Sequence, residues 1–89
     1  MPWIPIKSAD KLLSSQILKL PEGKVLRVES FKGDRWFEVK RNGEEFEFSE
    51  HGYRNVVFKV KKEEVKETVK RIIEVEFPRS HQLRVSLSS

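Results

Sequence analysis

An 89-residue chain with 36% charged and 37% apolar residues has room for one modest core, burying roughly 60–65% of its unfolded surface. The absence of cysteine excludes disulfides and thiolate metal sites, and two histidines, His51 and His81, are too few for a His-rich zinc centre. The four glycines stand one per turn and form no phosphate-cradling loop, so the expectation is no metal and no cofactor.

Eighteen bases against 14 acids give a net charge of +4 and allow an anionic partner. The excess lies in the second half, where residues 54–62 hold four bases and no acid. Heavy charge, a single Met and few amides resemble the profile of a hyperthermophile's cytosolic protein. No apolar run approaches the ~20 residues of a membrane span, and the N-terminal segment lacks the marks of a signal peptide. A soluble, cytoplasmic protein with no membrane partner is expected.

In chain order, residues 2–6 run extended around Pro2 and Pro5, with Trp3, Ile4 or Ile6 covering one end of the core. Ser8 then precedes Ala9, Leu12, Leu13, Ile17 and Leu20, whose spacing predicts an amphipathic helix capped by that serine and ended at Pro21-Glu22-Gly23. Residues 24–31, 35–41 and 44–49 predict a three-stranded meander, with a two-residue type I′ turn at Asn42-Gly43 and another turn at Gly33-Asp34. Leu26, Val28, Phe37, Val39, Phe46 and Phe48 fall on one face. Residues 56–60 form a fourth strand or an extended approach to the second helix, over 61–75, whose apolar stripe is Val65, Val69, Ile72 and Ile73. Pro78 ends it, and the alternation of Leu83, Val85 and Leu87 predicts a last strand. The fold class is therefore α+β: an antiparallel sheet of three to five strands, order α-β-β-β-(β)-α-β, with two helices packed on one face of a single compact domain.

With those turns, Phe31 would oppose Trp36 on the outer face, beside a row Glu29/Glu38/Glu47 and a row Arg27/Lys40/Glu45. Like charges in line are mildly unfavourable, so a cation, or a base from elsewhere, would relieve the glutamates; the plainer alternative is solvation with diagonal help from Arg27 and Lys40. Phe31 and Trp36 are candidate interaction residues: stacking on bases is one use, cover by another segment or a dimer partner the other. Arg54, Lys59, Lys61, Lys62, Lys66 and Lys70 are the candidate nucleic-acid contacts, with Lys62, Lys66 and Lys70 on one flank of the second helix. Glu63, Glu64 and Glu67 lie close enough in sequence to make that flank a salt-bridged solvated face instead. No spacing of Ser, His and acid argues for catalysis.

Over residues 8–76 the succession helix, three antiparallel strands, helix is similar to the double-stranded RNA-binding domain and to the small Alu-binding subunits of the signal recognition particle. The run Lys61-Lys62-Glu63-Glu64-Val65-Lys66 resembles the lysine-rich helix tip of the former, which implies Lys61, Lys62 and Lys66 as phosphate contacts. The chain departs from that family in having Lys32-Gly33-Asp34 in place of a Gly-Pro-x-His loop, Val and Ile in place of alanines in the second helix, and a strand after Pro78. The expectation is a non-enzymatic domain that binds RNA or other nucleic acid; the alternative is a protein-interaction or dimerisation module working through Phe31/Trp36 or an edge formed by the last strand.

Overall fold

The computed structural model describes residues 3–30, 32–78 and 80–88. The elements are β1 (Trp3–Pro5), α1 (Ile6–Leu18), β2 (Val25–Glu29), β3 (Trp36–Asn42), β4 (Glu45–His51), β5 (Asn55–Lys61), a 3₁₀ turn (Lys62–Glu64), α2 (Val65–Glu76) and β6 (Gln82–Ser88). The strands form one antiparallel sheet in the order β1-β6-β2-β3-β4-β5, and both helices lie over the same face. The α+β class stands, with one strand more than expected. Trp3–Pro5 pairs with residues 82–84, which carries Ile4 into the core. No helix among the described residues is long and apolar enough to cross a membrane.

The start of α1 differs from the Ser8 cap. Pro5, extended at φ −72° and ψ 143°, occupies the N-cap position and needs no N–H there. The first free helical N–H, that of Ile6, donates to the His81 carbonyl at 2.9 Å, so the loop before β6 takes over the work of a capping side chain. Ala9, Leu13 and Ile17 form the buried stripe, whereas Leu12 is 41% exposed.

Both hairpin registers are offset by two residues from the expectation. Asn42 pairs with Glu45, leaving Gly43-Glu44 as the turn centre, and Lys40 therefore meets Glu47 rather than Glu45. Gly43 has φ +66° and no described non-glycine residue has positive φ, which makes a turn with glycine first, as in type II′, the fit. Its N–H donates to Glu22 Oε1 at 3.1 Å. Gly43→Ala is expected to cost about 1–2 kcal/mol in a denaturant titration, because a Cβ opposes the left-handed backbone, while Asn42→Ala should stay within about 0.5 kcal/mol. Equal losses at the two positions would restore the Asn-Gly turn. In the other hairpin Ser30 N–H donates to Arg35 O at 2.9 Å, so four residues, 31–34, make the connection instead of two.

A two-residue offset preserves the faces, since side chains alternate with period two. Leu26, Val28, Phe37, Val39, Phe46 and Phe48 are all buried, together with Val65, Val69, Ile72 and Ile73 of α2. Phe37, Phe48 and Phe77 are the largest of the fully buried side chains, and each such side chain contributes about 1.5–3 kcal/mol by leaving water. The last strand is not an edge: β6 lies between β1 and β2, where Leu83 and Val85 join the core.

Candidate functional site

Among the described residues the outer face of the sheet carries no helix, and its rows differ from those expected. Arg27 now opposes Glu38, and Glu29 opposes Trp36. Glu47 sits between Lys40 and Lys59. The three glutamates are thus interleaved with bases: Arg27 reaches Glu29 at 3.2 Å and Glu38 at 4.0 Å. No group of three metal-ligating side chains occurs among the described residues. Trp36 faces outward as expected, but Phe31, its expected partner, lies outside the described residues. From β4, His51 stacks on the indole with centroids 5.1 Å apart and planes at 20°. From β2 the Arg27 guanidinium stands 4.7 Å from the ring centroid. The indole is therefore contacted from both flanking strands.

The six candidate nucleic-acid contacts are all exposed, but they do not form one patch. Val60 of β5 points into the core, so Lys59 and Lys61 point to the outer face. Arg54 belongs to the loop between β4 and β5, and Lys62 to the 3₁₀ turn. On α2, Arg71 extends to Phe58 and Glu50, which sets that flank of the helix toward β5 and β4. Lys66 and Lys70, at 100° per residue, fall on the opposite flank. None of the six makes an ion pair among the described residues. Glu63, Glu64 and Glu67 make no ion pair with that flank among the described residues, and Glu64 instead accepts the backbone N–H of Lys61 at 3.2 Å.

The densest polar arrangement lies where α2 ends beside the loop from β4 to β5. Glu50 is the next inward position after Phe46 and Phe48 on β4, and Glu76 the next after Ile72 and Ile73 on α2, so two apolar stripes each end in a carboxyl. Both are buried, at 0% and 2% exposure. Glu76 Oε1 accepts the N–H of Tyr53 at 2.6 Å, and Oε2 accepts that of Arg54 at 3.0 Å. Glu50 Oε1 lies 3.4 Å from Arg71, while its Oε2 has no partner if the group is ionised. A proton on Glu50, shared with Glu76, resolves that orphan. Burial pushes the Glu50 carboxyl above its ordinary range, the bond to Glu76 pushes the same way, and Arg71 only partly opposes them. For Glu76 burial also acts upward, but the Glu50 proton and the two backbone N–H groups outweigh it, and the carboxyl is held below its ordinary range.

The consequence is a fixed loop. Gly52 lies so close to Glu76 Oε1 that a Cβ would collide with it, and that Cβ would also come within 2.9 Å of Arg35 Cγ. Arg35 in turn donates to the Glu76 carbonyl at 3.2 Å and sets its guanidinium 5.9 Å from the centre of the Tyr53 ring. Tyr53, held through its backbone, leaves 76% of its surface exposed. It stands at the rim of a cleft of about 690 Å³ whose floor includes Val75 and Phe77 and whose rim carries Lys32, Arg35 and His81. Asp34, also on the rim, is held below its ordinary range by the Ser30 hydroxyl, which donates to it at 2.9 Å.

Neither the buried carboxyl pair nor the cleft figured among the expected site residues. The available signal was the break in the two stripes, a glutamate where the strand and helix periods each call for an apolar side chain. Compared with protein-family models, with curated proteins and with solved structures, the chain finds no match.

Proposed function

We propose that this protein is a non-enzymatic nucleic-acid-binding domain that engages phosphates through the bases around β5 and the head of α2. The supporting observation is that Lys59, Lys61, Lys62, Lys66 and Lys70 are exposed and make no ion pair among the described residues. A salt-laced solvated helix would have tied up the same ammonium groups. Lys61 closes β5, Lys62 opens the 3₁₀ turn and Lys66 lies in the first turn of α2, so the three follow one another through the junction of strand and helix. Each neutralised phosphate releases counterions, so affinity should fall steeply with salt.

Fluorescence anisotropy with duplex RNA, single-stranded RNA and duplex DNA across a salt series tests this. The double variant Lys62→Glu with Lys66→Glu is expected to weaken binding at least about tenfold and to reduce the slope of log affinity against log salt by about 1–2. An absence of binding at low salt, or an unchanged slope in the double variant, would remove the proposal.

A second reading, a protein-interaction or self-association module, is favoured by β5. Among the described residues it pairs with β4 on one side only, and Val57 on it is 64% exposed. An open strand edge pairs readily with another strand. Light scattering during size-exclusion chromatography distinguishes a dimer from a monomer.

A further inference from the structure

The cleft beside Tyr53 goes beyond the basic surface of α2 and stands or fails separately from it. Its two carboxylates are engaged inside the protein: Glu76 with the N–H groups of Tyr53 and Arg54, and one oxygen of Asp34 with Ser30. Its bases are less engaged: Lys32 is exposed, and the Arg35 guanidinium gives one N–H to the Glu76 carbonyl and has no other hydrogen bond among the described residues. The floor at Val75 and Phe77 is apolar, and Tyr53 offers an aromatic ring on a loop already tied down. A ligand suited to this arrangement has a flat, apolar-faced body and an anionic end. At about 690 Å³ the cleft falls within the range of small-ligand sites.

We propose that this cleft binds one nucleotide unit, with the base against Tyr53 and the phosphate held by Arg35 and Lys32. Stacking on tyrosine tolerates any base, because every base has a π face. The exposed Asp34 carboxylate has acceptor capacity beyond its Ser30 bond for an exocyclic amine and so favours bases that carry one. Because the loop is fixed before the ligand arrives, the ordering cost of binding is reduced. The shared chemistry has two sources, a free nucleotide or one nucleotide of a strand.

Titration of the isotopically labelled protein with each nucleoside 5′-monophosphate, followed by amide NMR, is the test. Saturable shifts at Ser30, Tyr53, Phe77 and Ser80 are expected, with the unphosphorylated nucleosides much weaker. Tyr53→Ala, at an exposed position and so without harm to the fold, should weaken the monophosphates about tenfold. Lys32→Ala should narrow the preference for nucleotide over nucleoside. A tetranucleotide binding more tightly than a mononucleotide identifies a strand as the source, and equal affinity a free nucleotide. Absence of shifts at these amides, shifts confined to the head of α2, or wild-type affinity in Tyr53→Ala would overturn the site. The Lys62→Glu, Lys66→Glu protein separates it from the basic surface: losing RNA while retaining mononucleotides leaves the cleft intact.

Discussion

Glu76→Ala is expected to lower the stability of this domain by about 3–5 kcal/mol, the usual cost of removing one partner from a buried charged network. The substitution strands two backbone N–H groups, those of Tyr53 and Arg54, and deprives the Glu50 proton of its acceptor. Against a total of roughly 0.05–0.15 kcal/mol per residue, such a loss is a large fraction of what keeps the chain folded. Glu76→Gln should do less harm, because its carbonyl oxygen still accepts one of the two bonds. The midpoint of urea unfolding reads the total loss. Hydrogen exchange at the Tyr53 and Arg54 amides shows whether it begins in that loop. A loss below about 1 kcal/mol for the alanine variant would mean that water readily replaces the carboxylate, and that the loop is not held as described.

Glu50→Gln is expected to change the pH dependence of stability. The folded protein holds Glu50 above, and Glu76 below, the ordinary value of 4.5. For Glu50, the stabilisation is complete below its unfolded value and is lost as the pH rises through its folded value. For Glu76, it is present above the unfolded value and lost as the pH falls through the folded one. The pair together contributes most in weak acid, near where one proton is shared between two carboxyls. On the alkaline side the single group lowers stability by at most about 1.4 kcal/mol per pH unit until Glu50 ionises in the folded state. A glutamine amide supplies the N–H donor that the proton supplied and cannot ionise. Arg71, whose side chain is 38% exposed, turns to water. Melting curves from pH 4 to 8 should show the wild type falling relative to Glu50→Gln as the pH rises, with the acid limb common to both. Parallel profiles would show that Glu50 is ionised throughout.

Both helices, the meander and the last strand were legible in the residue pattern because their signals are periodic and local. The inward sets Leu26/Val28, Phe37/Val39 and Phe46/Phe48 survive a two-residue error in each hairpin, since such an offset returns every side chain to its own face. The rows on the outer face do not survive it. The expected glutamate ladder becomes Arg27 against Glu38 and Lys40 against Glu47, because turn geometry, not hydrophobic pattern, selects among registers of equal parity. The Ser8 cap was displaced by a contact between distant parts of the chain, Ile6 with His81. The carboxyl pair is non-local in the same way. Glu50 and Glu76 each stood out as a polar end to an apolar stripe, yet nothing in local spacing says that a strand end and a helix end will meet.

The place of β6 between β1 and β2 has a consequence for how the molecule assembles. The strands β2 to β5 follow one another by short turns and can pair as each is completed, but among the described residues β1 has no neighbour in the sheet except β6. Until residues 82–88 arrive, the flank of β2 is bare and Trp3–Pro5 has nothing to lie against. The last strand is thus a keystone, and its pairing with β2, between residues at least 55 apart in sequence, closes a longer loop at greater entropic cost than the hairpins of the meander. Without it β2 to β5 would remain as a four-stranded ribbon, and Trp3–Pro5, at the other end of the chain, would lose the strand it pairs with, so the two ends of the chain are held in the sheet by one another.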